Sequence, residues 1–210
     1  MTELKRVNVG VIGTGWVGGI RANACAHNAL VDELHIAEID PDRQKQIVAE
    51  TDPTSITDDW QTLIDDPSID LIVIAMTPET ARFPIVMAAL NAGKHVFVEK
   101  PIAPSIPEAE EAYALAASNN LKISIGYSRR FDPRYVYVKK ALMDGAIGEP
   151  VTCLISRHST RELGEKITGR SKMSPTSIGG VHDLDFLLWC LQPRKPVRVY
   201  SQQAGKLFSQ

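Results

Sequence analysis

The sequence predicts an α/β fold, with a doubly wound parallel sheet over residues 1–123 and a partial α+β domain over 124–210. Three observations carry this expectation. Short apolar runs alternate with helix-like stretches through the first part of the chain. One run, Leu71-Ile72-Val73-Ile74-Ala75, is continuously apolar, as a central parallel strand buried on both faces must be. The first run, Val7 to Ile12, leads directly into Gly13-Thr14-Gly15-Trp16-Val17-Gly18, a glycine pattern suited to a sharp strand-to-helix turn.

The elements follow in order. Val7–Ile12 is the first strand, with a helix through about Leu30 behind it. Leu34–Ile39 is the second strand. Pro41–Glu50 reads as the second helix, with Pro41 at an early position where a missing N–H is harmless. Ser55-Ile56-Thr57 is a short third strand, and Thr57 is placed to cap a helix through Ile64. Asp58 and Asp59 in that first turn are favoured by the helix dipole. After the fourth strand, a helix runs to about Ala92 and stops at Gly93. His95–Val98 is the fifth strand. Ser105-Ile106-Pro107-Glu108 is a capping box that opens a helix to about Asn119, and Leu121–Ile125 is the sixth strand. Beyond them, Val151–His158 and Pro196–Ala204 read as strands and Val181–Leu191 as a helix. Arg161–Pro175 is polar, contains Gly164 and Gly169, and reads as a loop, either a substrate lid or an ordinary exposed connection. A sheet of two strands is marginal alone. A fragment, a short relative and a chain completed by another chain all fit this pattern.

Composition narrows the function. The 210 residues are 44% hydrophobic and 23% charged, ordinary globular usage, and the formal net charge of −2 favours neither nucleic acid nor an anionic membrane. Cys25, Cys153 and Cys190 are odd in number and include no Cys-x-x-Cys pair, which argues against a disulfide framework or structural zinc and fits a reducing compartment. No apolar run approaches a membrane span, and no signal-peptide core follows Met1. The expectation is a cytoplasmic protein with no nucleic-acid or membrane partner.

A strand ending in Gly-x-Gly-x-x-Gly and turning into a helix makes a cradle for a dinucleotide pyrophosphate. Gly13 permits the turn, Gly15 leaves room for the phosphates, and Gly18 lets helix and strand pack closely. Asp40 closes the second strand-like run about 20 residues on, where a ribose-binding carboxylate belongs. It favours NAD, while Arg43 nearby leaves NADP open. Ligands of such sheets bind beyond the carboxyl ends of the strands. Those ends carry Thr77-Pro78-Glu79 after the fourth strand, Glu99-Lys100-Pro101 after the fifth and Gly126-Tyr127-Ser128-Arg129-Arg130-Phe131 after the sixth. Lys100 there is either a solvated surface cation or a proton-transfer group whose pKa a cationic nicotinamide would lower.

Taken together, the glycine fingerprint, Glu99-Lys100-Pro101 and Gly180-Val181-His182-Asp183-Leu184-Asp185 before an apolar helix resemble the family of glucose–fructose oxidoreductase and inositol dehydrogenase. Gly126–Pro133 and Gly145-Ala146-Ile147-Gly148-Glu149-Pro150 are similar to that family's phrases too. The resemblance implies an N-terminal Rossmann domain binding NAD or NADP, a C-terminal mixed sheet that carries substrate and builds homo-oligomers, and a polyol, inositol or sugar as substrate. It implies a catalytic lysine at Lys100, before a proline that is usually cis, and an acid/base histidine at His182. Two positions depart from the family pattern. Ile178 stands where an aspartate is common, so Asp185, three residues past His182, is the candidate substitute. A histidine common near Arg82 is missing.

The candidate sets are therefore Lys100, His182 and Asp185 for catalysis; Gly13, Gly15, Trp16, Val17, Gly18, Asp40, Thr77, Pro78, Glu99 and Lys100 for the cofactor; and Arg129, Arg157 and His182 for the substrate. Arg130 and His158 share with Arg129 and Arg157 the alternatives of substrate contact and solvated charge. No ligand cluster beyond His182, Asp183 and Asp185 suggests a metal, and none is expected. Two function classes remain: an NAD(P)-dependent oxidoreductase, and a non-catalytic dinucleotide-binding protein or subunit.

Overall fold

The computed structural model describes residues 5–168 and 176–202. The chain divides into two compact units, one ending at Gly126 and one beginning at Tyr127. The division falls just beyond the expected 123/124 boundary because the last strand of the sheet runs to Ile125.

The first unit alternates β1 (Val7–Ile12), α1 (Trp16–Ala26), β2 (Val31–Ala37), α2 (Pro41–Thr51), β3 (Ser55–Thr57), α3 (Trp60–Asp65), β4 (Leu71–Ile74), α4 (Arg82–Asn91), β5 (His95–Val98), α5 (Ile106–Ser118) and β6 (Ile123–Ile125). All strand pairs are parallel, in the order β3-β2-β1-β4-β5-β6. The winding reverses between β1 and β4, where Gly10 pairs with Ile72 and Val11 with Val73. In an open parallel sheet the carboxyl ends at that reversal form a ligand crevice.

The period of two along each strand splits the apolar residues between two layers. Val9, Val11, Ile36 and Val73 pack under α1 and α2 with Ile47. Ile12, Ile72, Ile74 and Val98 pack on the opposite face with Val86 and Leu90. Ile36, Ile72 and Ile74 are completely buried, as strands covered on both faces require.

Local signals set most boundaries. Asp40 caps α2 and Ser105 caps α5, with the Glu108 carboxylate accepting the Ser105 hydroxyl at 2.6 Å. Asp59, not Thr57, caps α3: its side chain accepts the Gln61 N–H, whereas Thr57 is held in β3 opposite Ala37. Strand β2 starts earlier than expected, at Val31, and ends at Ala37, so the acid that leaves it is Glu38.

The second unit contains α6 (Pro133–Met143), α7 (Arg161–Thr168), a π-helical turn at Thr176–Gly180, and α8 (Val181–Cys190). Three expectations are corrected here. Val151–His158 forms no strand, and neither do residues 196–202; residues 203–204 lie outside the described part. Val151, Leu154, Val197 and Tyr200 are exposed. Alternation alone does not make a strand, because its hydrogen bonds need a second chain segment. Residues 161–168 are helical rather than a loop, since the Thr160 hydroxyl accepts the Leu163 N–H and Arg161 pairs with Glu165 one turn on. The rest of that expected loop, 169–175, lies outside the described residues. Among the described residues no helix is long and apolar enough to cross a membrane.

Candidate functional site

The glycine turn joins β1 to α1. Gly13 has φ +80°, a conformation that resists a side chain, and a Cβ on it would lie 2.7 Å from the Met76 backbone. A Cβ on Gly18 would lie 1.9 Å from the Gly13 carbonyl oxygen, so the helix can pack here only without one. Gly15 is different: a Cβ there would meet nothing within 4 Å. Its hydrogens face open space at the start of α1, a helix with no side-chain cap on its first N–H groups. Unpaired N–H groups and a positive dipole end beside open space form a cradle that fits a pyrophosphate. Trp16 and Val17 flank it and are exposed.

Thr14, in the middle of the turn, is fully buried. Its N–H and its hydroxyl both donate to Glu38 Oε2 at 2.7 Å, and its carbonyl accepts from Arg43 Nε at 2.6 Å. Glu38 Oε1 also accepts the Asp40 N–H. Burial works to raise the Glu38 carboxyl, but the hydrogen bonds from Thr14 and from backbone N–H groups outweigh it and hold the pKa below its ordinary value. Asp40, the acid that the sequence spacing favours, has its own backbone partners. Its Oδ1 accepts the N–H groups of Asp42 and Arg43 and so caps α2. The carboxylate that reaches the glycine turn is therefore Glu38. Its sequence signal is an acid inside an otherwise apolar run, two positions before the aspartate.

At the carboxyl end of β5, Glu99 is buried and its Oε1 accepts two hydrogen bonds from Arg21 of α1, at 2.9 and 2.7 Å. Arg21 also stacks on Phe97, 5.1 Å from the ring centre. Arg82, buried at the start of α4, donates to the carbonyls of Met76, Glu99 and Lys100. These ties bring the glycine turn, the Met76-Thr77 segment and Glu99-Lys100 to one edge of the sheet. Thr77-Pro78 and Lys100-Pro101 are cis, and Lys100 is half-buried. Glu99 thus anchors α1 to β5, and Lys100 follows it at the same strand end. Arg21 and Arg82 carry no sequence signal.

In the second unit, His182 is half-buried in the first turn of α8. Its neighbour Asp183 is buried and accepts from Arg129 and from Arg157. Burial would raise the Asp183 carboxyl, but the two guanidinium groups outweigh it and hold the pKa below the usual range. Asp185 accepts from Arg130 at 2.9 and 2.6 Å. The two candidate substrate arginines therefore converge on one carboxylate, and Asp185 is already paired with a third. Among the described residues no three His, Cys, Asp or Glu side chains gather as metal ligands.

Two outcomes follow. Gly15→Val abolishes NADH binding in a fluorescence titration while leaving the unfolding midpoint nearly unchanged, whereas Gly18→Val lowers that midpoint because its side chain meets backbone. Glu38 has a folded pKa below its unfolded value of about 4.3, so its stabilisation is complete above that pH and is lost as pH falls through the folded value. Glu38→Gln removes that dependence, and urea unfolding across the acid range shows a shallower loss in the variant.

Residues 7–127 match the model of the Gfo/Idh/MocA family, described as an oxidoreductase family with an NAD-binding Rossmann fold. The chain is 29% identical over 208 residues to the inositol 2-dehydrogenase/D-chiro-inositol 3-dehydrogenase of Lactiplantibacillus plantarum, an alignment covering 96% of this chain and 57% of that protein. It is 31% identical over 192 residues to the inositol 2-dehydrogenase of Rubrobacter xylanophilus, covering 90% and 54%. The crystal structure of scyllo-inositol dehydrogenase from Lactobacillus casei with bound NAD(H) and scyllo-inositol superposes with a TM-score of 0.76 at 26% identity, covering 89% of this chain and 56% of that one. The chain spans a little over half the length of the curated relatives it matches. With this sheet order, this glycine turn and this match, the chain belongs to the Gfo/Idh/MocA oxidoreductases and carries their NAD-binding Rossmann fold.

Proposed function

We propose that the chain serves an NAD-dependent dehydrogenase that moves a hydride between nicotinamide and a CH–OH carbon of a polyol, inositol or sugar. The observation that carries this reading is the open space at Gly15 inside a turn sealed by Gly13 and Gly18. Bound NAD would supply the hydride acceptor. The chain's own residues do the rest. The glycine turn and the uncapped start of α1 hold the pyrophosphate. Glu38 accepts the adenosine ribose hydroxyls, since its carboxylate is the one bonded to that turn, and Asp40 caps α2. Lys100 polarises the reacting oxygen, and His182 takes or returns the hydroxyl proton. Arg129 and Arg157, set against Asp183, contact substrate hydroxyls by their remaining N–H donors. The sequence family supports a homo-oligomer, and the cysteine usage a cytoplasmic setting.

A second reading, a dinucleotide-binding protein without turnover, is favoured by Ile178 at the position where the family resemblance implies an aspartate and by the engagement of Asp185 with Arg130. Turnover decides between them. Lys100→Ala and His182→Ala each lower the rate of NADH formation by roughly 10²–10⁴-fold on a polyol panel with NADH affinity nearly unchanged, and Ile178→Asp raises activity or shifts its pH profile. NADH binding with no turnover in parent or Ile178→Asp overturns the dehydrogenase reading and leaves the binding protein.

The ribose assignment has its own test. Glu38→Gln weakens NADH binding by about 10-fold or more, the loss of a charge-assisted hydrogen bond, whereas Asp40→Asn changes it by less than about 3-fold. The reverse order in a titration returns the role to Asp40.

A further inference from the structure

The one arginine of α2, Arg43, lies in the first turn after β2, where a guanidinium commonly accommodates the 2′-phosphate of NADP. In this structure all three of its nitrogens are engaged. Nε donates to the Thr14 carbonyl at 2.6 Å. Nη1 and Nη2 donate to the two carboxylate oxygens of Glu50 at 3.3 and 3.4 Å. Glu50 follows Arg43 by seven residues, two helical turns, so both side chains rise from one face of α2. The fork lies close to α1: a Cβ on Gly19 would be 2.3 Å from Nη2, so a side chain there would push the guanidinium aside. Arg43 and Glu50 line an open groove of about 500 Å³ that also reaches Gly15 and Trp16. The fork therefore stands beside the cradle but faces a carboxylate.

We propose that Glu50 is a cofactor-specificity residue, which sequesters Arg43 on α2 and so withholds it from a 2′-phosphate. The inference rests on the dinucleotide-binding reading above and deepens it. Glu50 offsets the charge of the guanidinium and takes one N–H from each terminal nitrogen, a bidentate arrangement of the kind that phosphate also demands. The remaining charges of this corner, Glu38, Asp40 and Asp42, are acidic, and Lys45 is paired with Asp42. A 2′-phosphate therefore meets carboxylates and a fork whose charge Glu50 already offsets, whereas the two ribose hydroxyls of NAD suit the same corner. Removal of Glu50 leaves Nε on the Thr14 carbonyl, which keeps the fork in place, and releases Nη1 and Nη2 toward the groove.

The test is the ratio of NADPH to NADH dissociation constants, measured by fluorescence titration on the full chain. In Glu50→Ala the ratio falls about 10-fold in favour of NADPH, the value of one recovered charge-assisted contact. Glu50→Gln, which removes only the charge, shifts it in the same direction by less. Arg43→Ala combined with Glu50→Ala returns the ratio to that of the parent, because no fork remains to be released. NADH affinity itself changes little in Glu50→Ala, which separates a change in specificity from a loosened turn. A ratio unchanged in Glu50→Ala and Glu50→Gln, with NADH still bound, overturns this proposal alone. A parent that binds neither nucleotide overturns the dinucleotide reading and this proposal with it.

Discussion

The first unit turns on one buried carboxylate. Glu38 leaves β2 and receives the N–H and hydroxyl of Thr14, in the middle of the glycine turn, and the N–H of Asp40, at the start of α2. A buried charge is tolerable only where donors replace the water it has lost. Here three donors come from two different loops, so the desolvation cost is met only when both loops are in place. The shape of the turn, the start of α2 and the end of β2 therefore depend on one another. The stabilising bonds also favour the ionised form of Glu38, and so keep negative charge at the end of the sheet beside the glycine turn.

The same edge is held a second time, by cations. Arg21 ties α1 to Glu99 at the end of β5, and Arg82 spans three carbonyls between the Met76 and Lys100 turns. Arg21 grips a carboxylate and Arg82 backbone carbonyls, each with a planar set of donors where a lysine would offer only a point charge. These bonds leave the glycine cradle open while its walls stay fixed. A bound dinucleotide would thus enter a site that is already formed, which limits the ordering cost of binding.

In the second unit charge pairing plays a similar part with different partners. Asp183 gathers Arg129 and Arg157, Asp185 holds Arg130, and Arg129 stacks 4.8 Å over Tyr135, which meets Phe186 edge-on. Helix α8 is therefore tied by ion pairs to the residues just before α6, while α6 itself meets α8 through the aromatic contact and through Lys139, which donates to the Trp189 carbonyl at 2.7 Å. The alternating segments on either side, with Val151 94% and Val197 100% exposed, have no ladder partner among the described residues. Helices α6, α7 and α8 close their backbone hydrogen bonds within themselves, which such segments cannot do.

Most of the first unit was legible in the sequence. The apolar runs, the Ser105 capping box and the spacing of Gly13, Gly15 and Gly18 are local signals, and each is enough to specify a strand, a helix start or a tight turn. The resemblance of Glu99-Lys100-Pro101 and of the segment around His182 to one family was equally a matter of neighbouring residues. What the sequence could not decide was which polar group meets which. Asp40 and Glu38 stand two residues apart, and only the end of β2 at Ala37 turns Glu38 toward the glycine turn and leaves Asp40 to cap α2. Glu99 and Arg21, 78 residues apart, and Arg43 with the Thr14 carbonyl, 29 apart, were chosen by packing of the helices on the sheet. Periodicity and capping act through covalent neighbours and can be read along the chain. Buried ion pairs act through space, and their partners exist only once the layers have closed.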